Sequence, residues 1–398
     1  MTSNAQIDPK PLPVPAFLSI GLRPFFLLGA VWAALAMIVW ILALTGRLDL
    51  SSRFDPISWH AHAFLFGYLG AIIAGFLLTA VPNWTGRPPL RGWPLLGLVL
   101  LWAFGRGAVA TSALWPMGLV IAIDLSFPVI LGAVILREVI LGQNWRNMII
   151  MGMLAAFTLA NLIFHIEAAT GAYAAQGLGL RLGLAAAVLM ITVMGGRIIP
   201  TFTGNWFKKT RQDVALASPM QRFDKIVVVA TVITLTLWVV SPDLVLTGGA
   251  LLILAGLHAV RLARWKGHYT AAEPLVFVLH AGYAFLPLGA LTLRVGLLWP
   301  DHLGLAAAQH IWMAGAIGVM TLAVMTRATL GHTGQNLHAG GGTVVIYAAI
   351  VLSVLTRLGS GIWPLQAGLL FPLSGALWIV AFGGFAFLYS GLLARPRT

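Results

Sequence analysis

WHAHAFLFGYLGAIIAGFLLTAVPNWTG, from Trp59 to Gly86, contains no Asp, Glu, Lys or Arg. As a helix rising 1.5 Å per residue it is long enough to cross a hydrocarbon layer about 30 Å thick. Comparable apolar windows, broken by Pro, Gly and charge, predict helices near 25-45, 59-81, 93-112, 115-137, 146-171, 178-200, 225-241, 243-262, 274-296, 303-329, 342-357 and 366-393. Hydrophobic residues make up 59% of the 398, charged residues only 9%, and mean hydropathy is +0.92. No soluble surface tolerates that balance, and in lipid each backbone polar group must be satisfied inside its own segment. A membrane barrel would show short period-two strands instead of these long runs. The expected fold is therefore all-α, a single polytopic domain over residues 1-398 with twelve membrane spans.

The first apolar run begins near Phe25, behind a polar, Pro-rich leader from Met1 to Pro15. It is too long for the core of a cleaved signal peptide and reads as a retained first helix. With the N-terminus inside, the inner segments carry seventeen Lys and Arg, including Lys208, Lys209, Arg211, Arg261, Arg264 and Lys266. The outer segments carry five: Arg47, Arg53, Arg181, Arg294 and Arg357. That asymmetry predicts both termini on the cytoplasmic side of the membrane. It also accounts for the net charge of +13 as topology, since no soluble face gathers the charge for nucleic acid.

Helices two, six and ten end in PNWTG (Pro82 to Gly86), PTFTG (Pro200 to Gly204) and GHTG (Gly331 to Gly334). A motif on every fourth helix suggests three four-helix units in one orientation. Gly also serves as an ordinary C-terminal helix cap, which explains the same recurrence without a repeat.

The chain has no cysteine, so disulfides, thiolate sites and iron–sulfur clusters are excluded and metal must use histidine, methionine, carboxylate or backbone. Ionisable groups inside a span are costly, which makes each a functional candidate, with hydrogen bonding between helices as the competing role. The histidines fall into two layers by depth. His60, His62, His165 and His310 form an outer layer; His258, His280 and His332 form an inner one. His310 and His332 stand about 33 Å apart on one helix and cannot share a metal. His60 and His62 have two geometries: extended, both rings point one way and chelate one ion; helical, they diverge by about 200° and serve opposite sides. His310 is followed by Ala314, Gly315, Ala316 and Gly318, which admit either a neighbouring helix or a flat macrocycle. Glu167 lies near His165 as a supporting carboxylate. His258, flanked by Arg261 and Arg264, reads as interfacial, as do His268, His302 and His338. Arg197 and Arg327 sit at inner helix ends, placed to meet an anion or to snorkel to headgroups. No GxSxG, HExxH or Walker A arrangement occurs in a credible context, so any enzymatic chemistry must be metal chemistry.

Several long motifs resemble the NnrS family of bacterial membrane proteins. They are RPFFLLGA (Arg23 to Ala30), WHAHAFLFGY and AGFLLTAVPNWTG (Trp59 to Gly86), NLIFHIEA (Asn161 to Ala168), GGRIIPTFTGNW (Gly195 to Trp206), LHAGYAFLPLG (Leu279 to Gly289) and GAIGVMTLAVMTRATLGHTG (Gly315 to Gly334). The resemblance implies a haem- and copper-containing protein of the nitric-oxide response, with haem b and copper as cofactors, nitric oxide as ligand and an electron donor as partner. It carries His60, His62, His165, His280, His310 and His332, with Arg23, Arg197 and Arg327, among the family's motif residues. One departure is Ala63, where the family pattern places an acid after HxH; Glu167 is the nearest substitute. Twelve helices with histidines on the second and tenth also resemble the catalytic subunit of haem-copper oxidases, although helix six here has no histidine. The expectation is haem between His310 and either His60 or His62. The other member of that pair, with His165, is left for copper, and the inner layer is available for a second centre. Arg23, Arg197, Arg327 and Glu167 would support these groups. The alternative is a transporter of a metal ion or small anion using the same intramembrane His and Arg.

Overall fold

A computed structural model describes residues 14–396; most of the polar leader, Lys10 and Arg397 lie outside them. All regular structure among the described residues is helical. Twelve helices are long and apolar enough to cross a membrane. They are α1 (Leu22–Leu44), α2 (Pro56–Thr85), α3 (Trp93–Ala110), α4 (Met117–Leu141), α5 (Trp145–Ala169) and α6 (Leu178–Lys209), then α7 (Arg222–Val240), α8 (Val245–Arg264), α9 (Pro274–Leu298), α10 (Leu305–Thr333), α11 (Gly341–Ile362) and α12 (Pro364–Ala394). Each matches one predicted span. The protein is thus a multi-pass all-α membrane protein.

The ends follow local chemistry. Asp55 accepts from Ile57 N and Ser58 N, and Pro56 occupies the first turn, so α2 starts before the histidine pair. Gly86 (φ 68°) and Gly334 (φ 80°) close α2 and α10 in the left-handed conformation that a side chain disfavours. Thr203 and Gly204 do not stop α6, which continues past Pro200, its predicted end, to Lys209. Membrane helices tolerate such prolines because neighbours satisfy the freed groups.

Consecutive spans pack together, and α12 packs on both α11 and α1, closing a ring. Within it, α2 and α10 are the most enclosed, each 83% buried over its span window, followed by α9 at 67% and α6 at 61%. Every fourth helix is thus interior, with α9 joining them. The Tyr68 and Thr321 hydroxyls hydrogen-bond at 2.6 Å to tie α2 to α10. Both central helices loosen into π-helical turns, Ala63–Tyr68 in α2 and Ile311–Val319 in α10. Each begins directly after a histidine, and such turns, rare in general, are frequent at functional sites.

Candidate functional site

Because α2 is already helical at residues 60 to 62, the two imidazoles diverge. His60 turns toward α1 and α10. Its ring lies against Trp40 (centroids 4.5 Å, planes 27° apart) and Phe64 (4.8 Å). Across from it stands His310, with centroids 6.3 Å apart and planes within 13°. His310 Nδ1 donates to the Ala306 carbonyl at 2.6 Å, which leaves Nε2 as its open nitrogen. His60 Nδ1 is buried and has no partner.

The two rings border a chamber of about 420 Å³ whose walls include Met37, Ile41, Leu65, Met313, Ala314 and Trp378. Arg357 is the one Lys or Arg on its lining among the described residues. The small residues after His310 divide their work. Gly315 faces the Phe285 ring and Gly318 faces Trp378, so these serve helix packing, while Ala314 opens onto the chamber. Two imidazoles sharing one metal at about 2 Å from each nitrogen place their ring centres roughly 6 Å apart. The His60–His310 separation fits that requirement, and the chamber between α1, α2, α10, α11 and α12 gives a flat ligand room.

His62 points the other way, into a sealed polar cluster. His62, Asp124 and His165 are fully buried, with Asn161 at 3% and Arg106 at 5% exposure. Asp124 on α4 is the hub. Its Oδ2 accepts from His165 Nε2 at 3.0 Å and Asn161 Nδ2 at 2.9 Å and lies 3.1 Å from His62 Nε2; its Oδ1 pairs with Arg106 of α3. His62 Nε2 also donates to Asn161 Oδ1 at 2.9 Å. Asn161 and His165 are one helical turn apart on α5 and so share a face. Gly67 makes this possible, because a Cβ there would strike the Arg106 guanidinium and the Trp32 indole. The Nδ1 atoms of His62 and His165 are buried without partners. His62, Asp124 and His165 present ligand atoms all within 4.8 Å of one another, a set able to hold a metal ion.

The family model described as NnrS protein matches residues 16–397. The chain belongs to the NnrS family. No functionally curated protein matches it.

In this NnrS protein the outer histidines pair as His60 with His310 and His62 with His165, while the inner three do not converge. Among the described residues, no three metal-ligating groups meet outside the Asp124 cluster. His280 Nε2 bonds Thr203 Oγ1 at 2.8 Å, and His332 is exposed at the end of α10. His258 is not interfacial. It is 1% exposed, with Nδ1 bonded to Tyr283 OH at 2.9 Å and Nε2 to Thr231 Oγ1 at 3.2 Å. Beside it Arg261 pairs with Asp224 at 2.8 Å and donates to Tyr283 OH at 3.0 Å; that ion pair draws the end of α8 inward. His338, though exposed, pairs with Glu273 at 2.8 Å.

The supporting residues each contact another part of the fold. Glu167 does not reach His165: its carboxylate accepts from Leu178 N at 2.6 Å and Gly179 N at 3.1 Å, capping the start of α6. Arg23 donates to the Leu393 carbonyl at 3.2 Å and to that of Arg395, holding the end of α12. Arg197 meets Asn147 Oδ1 at 3.4 Å, and Arg327 lies 4.1 Å over the Phe202 ring. A carboxylate does meet His62, that of Asp124, two helices away in sequence. Its signal was an acid inside an apolar span, LVIAIDLSFPVIL, with Arg106 in the span before it.

Proposed function

We propose that this NnrS protein acts in the response of a bacterial inner membrane to nitric oxide. It would hold haem b between His60 and His310 and copper at His62, Asp124 and His165, with both chain ends cytoplasmic and an electron donor as partner. The observation that carries the reading is the 6.3 Å opposition of the His60 and His310 rings across the chamber. Haem would supply an iron centre for binding nitric oxide or passing an electron.

The residues around it divide the work. His310, on the chamber wall, is fixed by its bond to the Ala306 carbonyl, which sets its tautomer and leaves Nε2 as the open nitrogen. His60 is held by ring contacts alone, so it is the imidazole able to yield its place to a small ligand. On the other side of α2, Arg106 pairs with Asp124 Oδ1, leaving Oδ2 turned toward the imidazoles, and Asn161 orients His62.

The detergent-purified protein should show an absorption band of haem, and His310→Ala should abolish or reshape it. A colourless, folded protein would sink the haem assignment and favour transport of an ion through the same chamber. Elemental analysis should find copper in the wild type and less in His62→Ala and His165→Ala; undiminished copper in both would remove that site.

A further inference from the structure

Arg357 sits about 8 Å inside the outer end of α11, five residues before Ile362. Its guanidinium lies 4.9 Å over the Phe371 ring, and Nη1 donates to Ser360 Oγ at 3.1 Å. These contacts hold the group against the chamber wall instead of letting it extend to headgroups. Its other N–H donors meet no protein acceptor, and no carboxylate pairs with it, among the described residues. Two other arginines at the same face are provided for differently: Arg53 donates to the Ser112 carbonyl at 3.1 Å, and Arg181 to the carbonyls of Val239 (3.1 Å) and Gln176 (2.7 Å). A guanidinium facing an apolar chamber without an anion is unfavourable. The chamber therefore carries a fixed positive charge with its matching negative charge missing.

We propose that Arg357 recognises a carboxylate on the molecule that fills the chamber, so the ligand is an anionic tetrapyrrole held at two points, by imidazole at its centre and by guanidinium at its edge. This rests on the haem reading above and adds the ligand's charge to it. A planar fork of N–H donors matches a carboxylate in two parallel hydrogen bonds, which a lysine or a neutral amide cannot copy.

The test is reconstitution of the full chain, expressed without haem, using haem or its dimethyl ester, in which both carboxylates are masked and the iron is unchanged. Wild type should bind haem at least about tenfold more tightly than the ester, as expected for charge-assisted hydrogen bonds. Arg357→Gln should bring the ratio near one by weakening haem alone, and Arg357→Lys should recover part of it. Equal binding of haem and ester by wild type overturns the role of Arg357 while leaving the haem reading standing. Failure of wild type to bind either defeats both. Should Arg357→Gln not fold, the wild-type ratio alone decides.

Discussion

Two imidazoles, two residues apart on α2, enter environments of opposite kind. His60 faces about 420 Å³ of space lined mostly by apolar groups, with an arginine lacking a carboxylate partner. His62 enters a cluster where Asp124, Arg106, Asn161 and His165 answer one another, and the void beside it is only about 10 Å³, room for one water. The chamber is incomplete as protein and asks for a large ligand. The cluster is nearly complete and asks at most for an ion in place of the protons its imidazoles share with Asp124. A chamber residue can therefore be changed at the cost of the ligand, whereas loss of Asp124 or Arg106 from the cluster strands a buried charge.

The largest expected effect is a clean separation. His310→Ala removes the pigment and keeps the metal of the cluster, because its visible protein bond is to a backbone carbonyl of its own helix. His62→Ala does the reverse. Absorption and elemental analysis on the same two preparations check this, and joint loss of both cofactors from either variant would mean the two sides of α2 form one centre.

Next in size is Asp124→Asn. The amide cannot balance Arg106, 5% exposed, and leaves two imidazoles facing a weaker acceptor. Breaking a buried pair from one side costs about 3–5 kcal/mol. Thermal unfolding of the haem-free proteins in detergent, where loss of the ligand adds nothing, should show it as a large drop, with His310→Ala little changed. Equal losses in the two variants would erase the distinction between chamber and cluster.

The spans were readable because lipid imposes one requirement on every helix, and apolar run length reports it directly. For His60 and His62 the sequence left two geometries open, extended or helical, and the helix start capped by Asp55 before them decides for divergence. Asp124 is visible in the sequence only as an acid inside an apolar span; its partners come from α2, α3 and α5, and no spacing in one segment announces them. His258 read as interfacial from its neighbours Arg261 and Arg264, yet Asp224 in the first turn of α7 neutralises Arg261 and makes burial affordable. Glu167 stands eleven residues before the helix it caps, beyond any local capping pattern. The π-helical turns left no mark in the apolar pattern.

The smallest effect sharpens the comparison with a third polar group. Tyr283, His258, Arg261 and Asp224 are as buried as the Asp124 cluster, but His258 is satisfied at both nitrogens, where His62 and His165 each keep a bare Nδ1. A satisfied network has no valence left for an ion, so it should be structural. Tyr283→Phe removes the partner of His258 Nδ1 and one of Arg261's acceptors, while Arg261 retains Asp224 and the Thr192 carbonyl at 2.9 Å. The cost should be about 1–3 kcal/mol, the penalty for one buried group left unpaired. Metal content and absorption should match wild type. A change in either would bring this network into the functional centre.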